Sequence, residues 1–151
     1  MSYPGEAADQ HKCCVLFLCT GNSCRSQMAE GWLRQLHSDK FQALSAGIEA
    51  QGLNPMASKV MLEAGVDITS QSSNMLDEFD LDDVDYVISV CGHADENCSI
   101  LGNHTVKLHY GFDDPPKLAA NLEGEAALAP YRRVRDEVRM FISDIESFLA
   151  A

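Results

Sequence analysis

Hydrophobic and polar positions follow two different periods along this chain. Short apolar runs occupy residues 13–18, 41–45, 86–90 and 105–109, as expected of strands buried within a sheet. Elsewhere, apolar residues recur every three or four positions, which is the spacing of one helical face. The alternation of such strands and helices predicts a parallel sheet covered by helices.

Helical spacing predicts three long helices, over residues 27–36, 55–64 and 131–149. The second begins at the Asn54-Pro55 pair and stops at Gly65, which are typical start and stop signals. The serine pair at 72–73 is expected to cap a short helix that continues through Glu78.

A single domain is expected, because a chain of 151 residues can bury one sizeable core. We predict that residues 13–151 form a four-stranded parallel sheet flanked by helices on both faces. A polar, disordered tail over residues 1–12 precedes it. The Ala-rich segment 118–130 contains one Gly and is expected to be either a helical excursion or a mobile lid.

The turn between the first strand and the first helix carries the clearest chemical signal. Backbone N–H groups of such a turn form a nest for an anion, and the following helix adds its positive N-terminal end. An arginine in the turn offers a planar fork for two oxygens of an oxyanion. We therefore predict a site for a tetrahedral oxyanion, formed by eight residues: Cys19, Thr20, Gly21, Asn22, Ser23, Cys24, Arg25 and Ser26.

Cys19 is the candidate nucleophile of this turn. The positive surroundings favour its thiolate form, and the Ser26 hydroxyl is placed to hydrogen-bond that thiolate. Cys24 is expected to shape the loop rather than to react. The ordinary alternative is a turn with a buried cysteine and a surface arginine, but the strand and helix stand where anion binding requires them.

The carboxyl ends of the predicted strands should form the site. In open parallel sheets, ligands bind beyond these ends. Cys19, Cys91 and Asp114 each follow a predicted strand and should therefore meet at one edge. Asp114 precedes Pro115, and Asp-Pro pairs begin ordinary turns. Beside a nucleophilic cysteine, however, Asp114 is a candidate general acid.

Cys91 and Cys98 have three possible roles. They could be a packing residue and an unrelated loop residue. A zinc site lacks the usual short ligand pairs and would draw on five residues: Cys91, His93, Cys98, His104 and His109. A redox pair requires that the intervening segment bring the two Cα atoms within about 7 Å. A second thiol near Cys19 would then resolve a sulfur adduct by thiol–disulfide exchange.

Composition narrows the partners and the compartment. The formal net charge of −12 argues against nucleic-acid binding. No apolar run approaches the roughly 20 residues of a membrane span, and the first residues carry no signal-peptide pattern. The six cysteines are therefore expected in a reducing cytoplasm, where they are buried, metal-binding or catalytic. Cys13 and Cys14 are expected in the core.

The sequence resembles a known family. Residues 15–32 are similar to the active-site loop of thioredoxin-coupled arsenate reductases, which share the fold of the low-molecular-weight protein tyrosine phosphatases. The similarity covers nearly all of residues 14–148. Four further stretches agree with it: 45–49, Cys91 with Cys98, 109–115 and 133–137. The Cys91/Cys98 pair is what distinguishes the reductases from the phosphatases.

The resemblance implies a complete reaction. Arsenate binds in the nest with Arg25, Cys19 attacks arsenic, and Asp114 protonates the departing oxygen. Cys91 then attacks Cys19, which releases arsenite and leaves a Cys19–Cys91 disulfide. Cys98 converts this into a Cys91–Cys98 disulfide, which thioredoxin reduces.

The resemblance also implies a cation site. Some relatives bind potassium near the loop through positions that match Asn22, Glu30, Ser45, Ser72 and Asn74. Asn74 stands where they carry Asp, so potassium binding is expected to be weak. We expect a cytoplasmic monomer that acts in arsenical resistance, takes electrons from thioredoxin and holds no tightly bound cofactor.

Two other functions stay open on the sequence. A low-molecular-weight phosphatase needs Cys19, Arg25 and Asp114 but neither later cysteine. Such phosphatases carry an aromatic pair soon after the Asp-Pro turn, whereas the next aromatic residue after Phe112 is Tyr131. Weak phosphatase side activity is expected even of a reductase. A non-catalytic thiol sensor of oxyanions or metals would leave the acid, nucleophile and arginine without a task.

Overall fold

The computed structural model describes residues 12–92 and 104–150, which form a four-stranded parallel sheet with packed helices. The strands are β1 (Cys13–Cys19), β2 (Phe41–Gly47), β3 (Tyr86–Ser89) and β4 (Val106–His109), in the spatial order β2-β1-β3-β4. All three neighbouring pairs are parallel. The predicted four-stranded parallel α/β fold is confirmed. The predicted tail lies, apart from Lys12, outside the described residues.

The helices cover and connect the strands. In the described part of the chain they are α1 (Arg25–His37), α2 (Pro55–Glu63), α3 (Pro115–Leu118), α4 (Gly124–Ser143) and α5 (Ile145–Ala150). Two 3₁₀ turns, Leu76–Glu78 and Leu81–Asp83, lie between α2 and β3. Helix α1 packs against β1, β2 and α4, and α2 packs against α4. Across residues 12–92 and 104–150, every helix is too short or too polar to cross a membrane.

Strand β1 is the centre of the core. Val15, Leu16, Phe17 and Leu18 are all fully buried, although successive residues of a strand point to opposite faces. Both faces of this strand are therefore covered, as in parallel sheets generally. The register pairs Cys19 with Gly47, which aligns the carboxyl ends of β1 and β2.

Helix α4 corrects the predicted boundaries at the end of the chain. Residues 124–130 form the first turns of α4. Of the two alternatives for segment 118–130, the helical one therefore applies to residues 124–130. Pro130 lies inside the helix, where burial of Ala127 and Leu128 compensates for the hydrogen bond that proline cannot donate. The predicted continuous helix over 131–149 is wrong, because the chain turns at Asp144 between α4 and α5.

The short helix predicted after the serine pair is also different. Only Leu76–Glu78 is helical, as a 3₁₀ turn, and Met75 rather than a serine precedes it. Ser73 instead donates to the carbonyl oxygens of Gly21 and Asn22, at 3.2 and 2.9 Å. A serine pair that appears to cap a helix thus supports the predicted anion loop.

Candidate active site

The loop from Cys19 to Arg25 joins β1 directly to α1, as the sequence predicts. Asn22 adopts a left-handed conformation with φ 47°, which Asn tolerates better than most residues. The loop packs closely on the end of β2. A Cβ at Gly47 would collide with the carbonyl oxygen of Glu49 and lie 2.7 Å from the backbone nitrogen of Asn22. Gly47 therefore permits this approach.

Asn22 holds the loop through both ends of its buried amide. Its Oδ1 accepts from the backbone N–H of Asn74 at 2.7 Å, and its Nδ2 donates to Ser26 Oγ at 2.9 Å. Its carbonyl oxygen accepts from Gln27 Nε2 at 2.9 Å. These contacts stabilise the strained backbone at Asn22 and orient the Ser26 hydroxyl.

The Ser26 hydroxyl lies 2.9 Å from Cys19 Sγ. The Asn22 amide fills one lone pair of this hydroxyl oxygen and holds the hydroxyl beside the sulfur, where its own proton can be donated to a thiolate. Both Cys19 and Ser26 are buried. A hydrogen bond donated to the sulfur would stabilise negative charge there, and a cysteine attacks as its thiolate.

Arg25 connects the loop to the Asp114 segment. Its NH1 donates to the carbonyl oxygen of Phe112 at 3.0 Å, and its NH2 lies 3.8 Å from Asp114 Oδ1. The Arg25 side chain is 12% exposed and that of Asp114 is 40% exposed. The structure therefore brings the predicted arginine and the candidate acid together, with the carboxylate accessible from outside.

A cavity of about 240 Å³ opens at this edge of the sheet. Its lining combines the predicted nucleophile, arginine and acid with small loop residues: Cys19, Thr20, Gly21, Ser23, Cys24, Arg25, Gln51, Asp114 and Pro116. None of these described lining residues is aromatic. Tyr131, the next aromatic residue after Phe112 in the sequence, is buried, with 3% of its surface exposed. The cavity therefore suits a small polar ligand better than an aryl ring.

Cys91 contacts the nucleophile loop at Thr20. It is buried, and its Sγ lies 3.3 Å from Oγ1 of Thr20, the residue after Cys19. The predicted meeting of Cys19 and Cys91 at one sheet edge thus agrees with the structure. Cys98 lies outside the described residues, and so does His93. The Cys91–Cys98 pairing therefore stays a prediction.

Comparison with known proteins agrees with this arrangement. Residues 14–150 match the family model of low molecular weight phosphotyrosine protein phosphatase. The chain belongs to this family. It is 48% identical over 124 residues to a protein of Bacillus subtilis named arsenate reductase, which covers 82% of this chain and 88% of that one.

Solved structures related to this family have the same fold. One described as an arsenate reductase in the phosphate binding state is 31% identical, with a TM-score of 0.73, and covers 90% of this chain and 98% of that chain. A low molecular weight protein tyrosine phosphatase from T. tengcongensis is 25% identical, with a TM-score of 0.70, and covers 91% and 99% of the two chains. The family thus contains both chemistries that the sequence leaves open.

The remaining described cysteines differ from Cys19 and Cys91 in their surroundings. Burial, and then the charge of Asp85, raises the pKa of Cys14 to about 11. The same two causes raise the pKa of Cys13. Burial also raises the pKa of Cys24, well above its ordinary range. These three groups are therefore neutral thiols at pH 7, which agrees with their predicted structural roles.

The residues predicted for a potassium site lie together. Glu30, Ser45, Ser72 and Asn74 line one cavity of about 300 Å³, and Asn22 contacts Asn74 from the loop side. The Glu30 carboxylate, however, already accepts from Ser45 Oγ and from Arg34 NH2. Since Arg34 supplies a positive charge there, the residues present do not fit a potassium ion well.

The zinc alternative draws on His93 and Cys98, which lie outside the described residues, so it stays a hypothesis. Within residues 12–92 and 104–150, there is no group of three or more His, Cys, Asp or Glu side chains that could hold a metal ion. His104 instead lies 3.8 Å from Asp85 Oδ1, at the start of β4. His109 contacts Ser89 Oγ through Nδ1 at 2.7 Å.

Sequence analysis missed two residues that line the cavity, Gln51 and Pro116. Gln51 follows the end of β2, and its side chain lies directly over Gly21. Its backbone N–H donates to the Gly21 carbonyl oxygen at 2.9 Å. The rule that ligands bind at strand carboxyl ends would have found Gln51 had it also been applied to β2.

Proposed function

We propose that this chain is an arsenate reductase that uses Cys19, Cys91 and Cys98 as a disulfide relay recycled by thioredoxin. The observation that carries the proposal is the contact of Cys91 with the nucleophile loop, through Thr20. Phosphate-ester hydrolysis needs no second thiol, whereas reduction of arsenate needs one to resolve the adduct on Cys19. The 48% identity to a named arsenate reductase supports the same substrate.

The first step is attack of the Cys19 thiolate on arsenic. Arg25 and the backbone N–H groups of residues 20–25 bind the arsenate oxygens. A Cys19 S–As bond forms as one As–O bond breaks, and Asp114 donates a proton to the departing oxygen, which leaves as water. Support comes from the position of Asp114 within 3.8 Å of Arg25.

The second step transfers two electrons to arsenic. The Cys91 thiolate attacks Cys19 Sγ, and the electron pair of the S–As bond passes to arsenic, which leaves as arsenite. A Cys19–Cys91 disulfide results. Cys98 then attacks Cys91, which regenerates the Cys19 thiolate and forms the Cys91–Cys98 disulfide. The dithiol of thioredoxin supplies the two electrons that reopen this bond.

The test is arsenite production with thioredoxin, thioredoxin reductase and NADPH. Cys91→Ser and Cys98→Ser are each expected to abolish multiple turnover. After one exposure to arsenate without reductant, peptide mapping should find a Cys91–Cys98 disulfide in the unmodified chain. In Cys98→Ser, it should find a Cys19–Cys91 disulfide. Cys13→Ser is the matched control, because this cysteine lies at the opposite end of β1 and should leave turnover unchanged.

Phosphotyrosine hydrolysis is the second candidate, favoured by family membership alone. It requires Cys19, Arg25 and Asp114 and is indifferent to Cys91. Efficient phosphotyrosine turnover in Cys91→Ser, together with no arsenite from the unmodified protein, would replace the reductase proposal. The absence of aromatic side chains among the described cavity residues leads us to expect only slow phosphatase activity.

A further inference from the structure

Asp114 lines the proposed oxyanion site, and Asp113, which is not among the lining residues, directly precedes it in the chain. Asp113 and Asp114 are consecutive, and the segment that carries them begins at Phe112, whose carbonyl oxygen is held by Arg25. Only Asp114 is required as an acid. A second negative charge here would repel an incoming oxyanion and attract the guanidinium that must bind it.

Arg133 forms a salt bridge with Asp113 and is not among the residues that line the cavity. Its NH2 lies 2.9 Å from Asp113 Oδ2, and its NH1 lies 2.7 Å from Glu137 Oε2. Arg133 belongs to α4, which packs against α1. The helix therefore positions the Arg133 guanidinium beside Asp113. Glu137, one turn later on α4, helps to orient that guanidinium.

We infer that Arg133 is a positioning residue that shields the oxyanion site from Asp113. Arg133, which also pairs with Glu137, places its positive charge against Asp113 and so offsets part of the repulsion between that carboxylate and an anion at Arg25. Arg25 is then free to bind the oxyanion, with Asp114 as the one nearby acid. The inference rests on the proposed function, because it concerns anion binding at Arg25.

This role differs from that of a simple brace between α4 and the Asp114 segment. If the salt bridge only fixed the segment, removal of either partner would have the same effect. If Arg133 shields, the harm of its removal comes from the unpaired Asp113 charge. Removing that charge as well should then restore binding.

The experiment compares inorganic phosphate binding, by calorimetry at low ionic strength, in four forms of the full chain. Arg133→Gln should weaken phosphate binding by roughly three- to five-fold, the upper part of the range for one exposed charge pair. Asp113→Asn should bind as the unmodified protein or more tightly. The double variant Arg133→Gln/Asp113→Asn should bind as Asp113→Asn does.

Arg132→Gln is the matched control. Arg132 is the neighbouring residue on α4 and pairs with Glu63 and Glu125, at 2.8 and 3.1 Å. Its loss removes the same charge and a comparable number of salt bridges, but not near Asp113. Phosphate affinity should stay within two-fold. Arg133→Lys, which keeps the charge, should bind close to the unmodified level and shows whether the position tolerates substitution.

The outcomes separate the two proposals. Equal weakening in Arg133→Gln, Asp113→Asn and the double variant would mean a brace and would overturn shielding. Equal affinity in all four forms would also overturn it, with the anion site intact. If the unmodified protein binds no phosphate and makes no arsenite, the proposed function itself fails.

Discussion

At the scale of single residues, the direction of one proton decides what the nucleophile can do. Asn22 donates to the Ser26 oxygen and thereby holds the Ser26 hydroxyl 2.9 Å from Cys19 Sγ. The hydroxyl can donate to a Cys19 thiolate, and through its second lone pair it can accept from a Cys19 thiol. The left-handed Asn22 therefore contributes to reactivity through a neighbour, without touching the sulfur.

Ser26→Ala is expected to slow alkylation of Cys19 by iodoacetamide at pH 7 by roughly ten-fold or more. A hydrogen bond to a charged group contributes about 1.5–3 kcal/mol, and its loss shifts the balance toward the unreactive thiol. Mass spectrometry should locate the label at Cys19. Unchanged alkylation in Ser26→Ala would show that the hydroxyl does not favour the thiolate.

The same labelling has an internal control in Cys14. Burial raises the pKa of its thiol to about 11, so it is protonated and unreactive at pH 7. Its labelling in the folded protein should begin only as the pH approaches that value. Early labelling of Cys14 would mean that the protein had unfolded, and the comparison at Cys19 would then be void at that pH.

At the scale of elements, Asn54 joins three parts of the molecule. Its Oδ1 accepts from the first N–H groups of α2, at Met56 and Ala57. Its Nδ2 donates to the buried Tyr131 hydroxyl of α4 at 3.2 Å, and its backbone N–H donates to the Ser23 carbonyl oxygen. The Asn54 side chain thus caps one helix and joins it to another, and the Asn54 backbone N–H holds the loop.

Asn54→Ala is expected to lower the free energy of unfolding by about 1–2 kcal/mol, because it removes the cap of α2. Asn54→Asp keeps the capping oxygens but loses the amide donor to Tyr131, so its loss should be smaller. Urea denaturation of the two variants checks this order. If both lost the same stability, the contact with Tyr131 rather than the cap would dominate.

At the scale of the whole molecule, an anion site lies within a strongly negative protein. The net charge is −12, and a field of that sign slows the approach of anions. The attraction comes from a local nest and from the largely buried Arg25. Salt screens long-range repulsion more than it screens short, partly buried contacts.

Phosphate affinity is therefore expected to rise as sodium chloride increases from about 10 to 150 mM, over which the Debye length falls from about 30 to 8 Å. Calorimetry of the full chain measures this. The same series in potassium chloride should coincide with it, because Arg34 already pairs with Glu30. A steady fall in affinity would show that local attraction outweighs the field, and tighter binding in potassium alone would indicate a working cation site.

Much of this protein could be predicted because its signals are local. The period of the apolar residues determines which segments form strands and helices, and the turn from Cys19 to Ser26 contains within eight residues all that an anion nest needs. The rule for parallel sheets then places Cys91 and Asp114 at the same edge. None of these inferences requires a side-chain contact between distant parts of the chain.

What the tertiary structure decided depends on contacts between residues far apart in sequence. The residues adjacent to Ser73 in sequence do not indicate that it hydrogen-bonds the loop at Gly21. Those adjacent to Pro130 do not indicate that α4 continues through this proline. The sequence likewise does not predict that Arg133 pairs with Asp113 or that Gln51 lies over Gly21. The sequence by itself determined the chemistry at hand, since reactive groups and backbone periods are properties of short segments. Only folding decided which charges and hydroxyls surround that chemistry, because those neighbours are set by packing across the whole core.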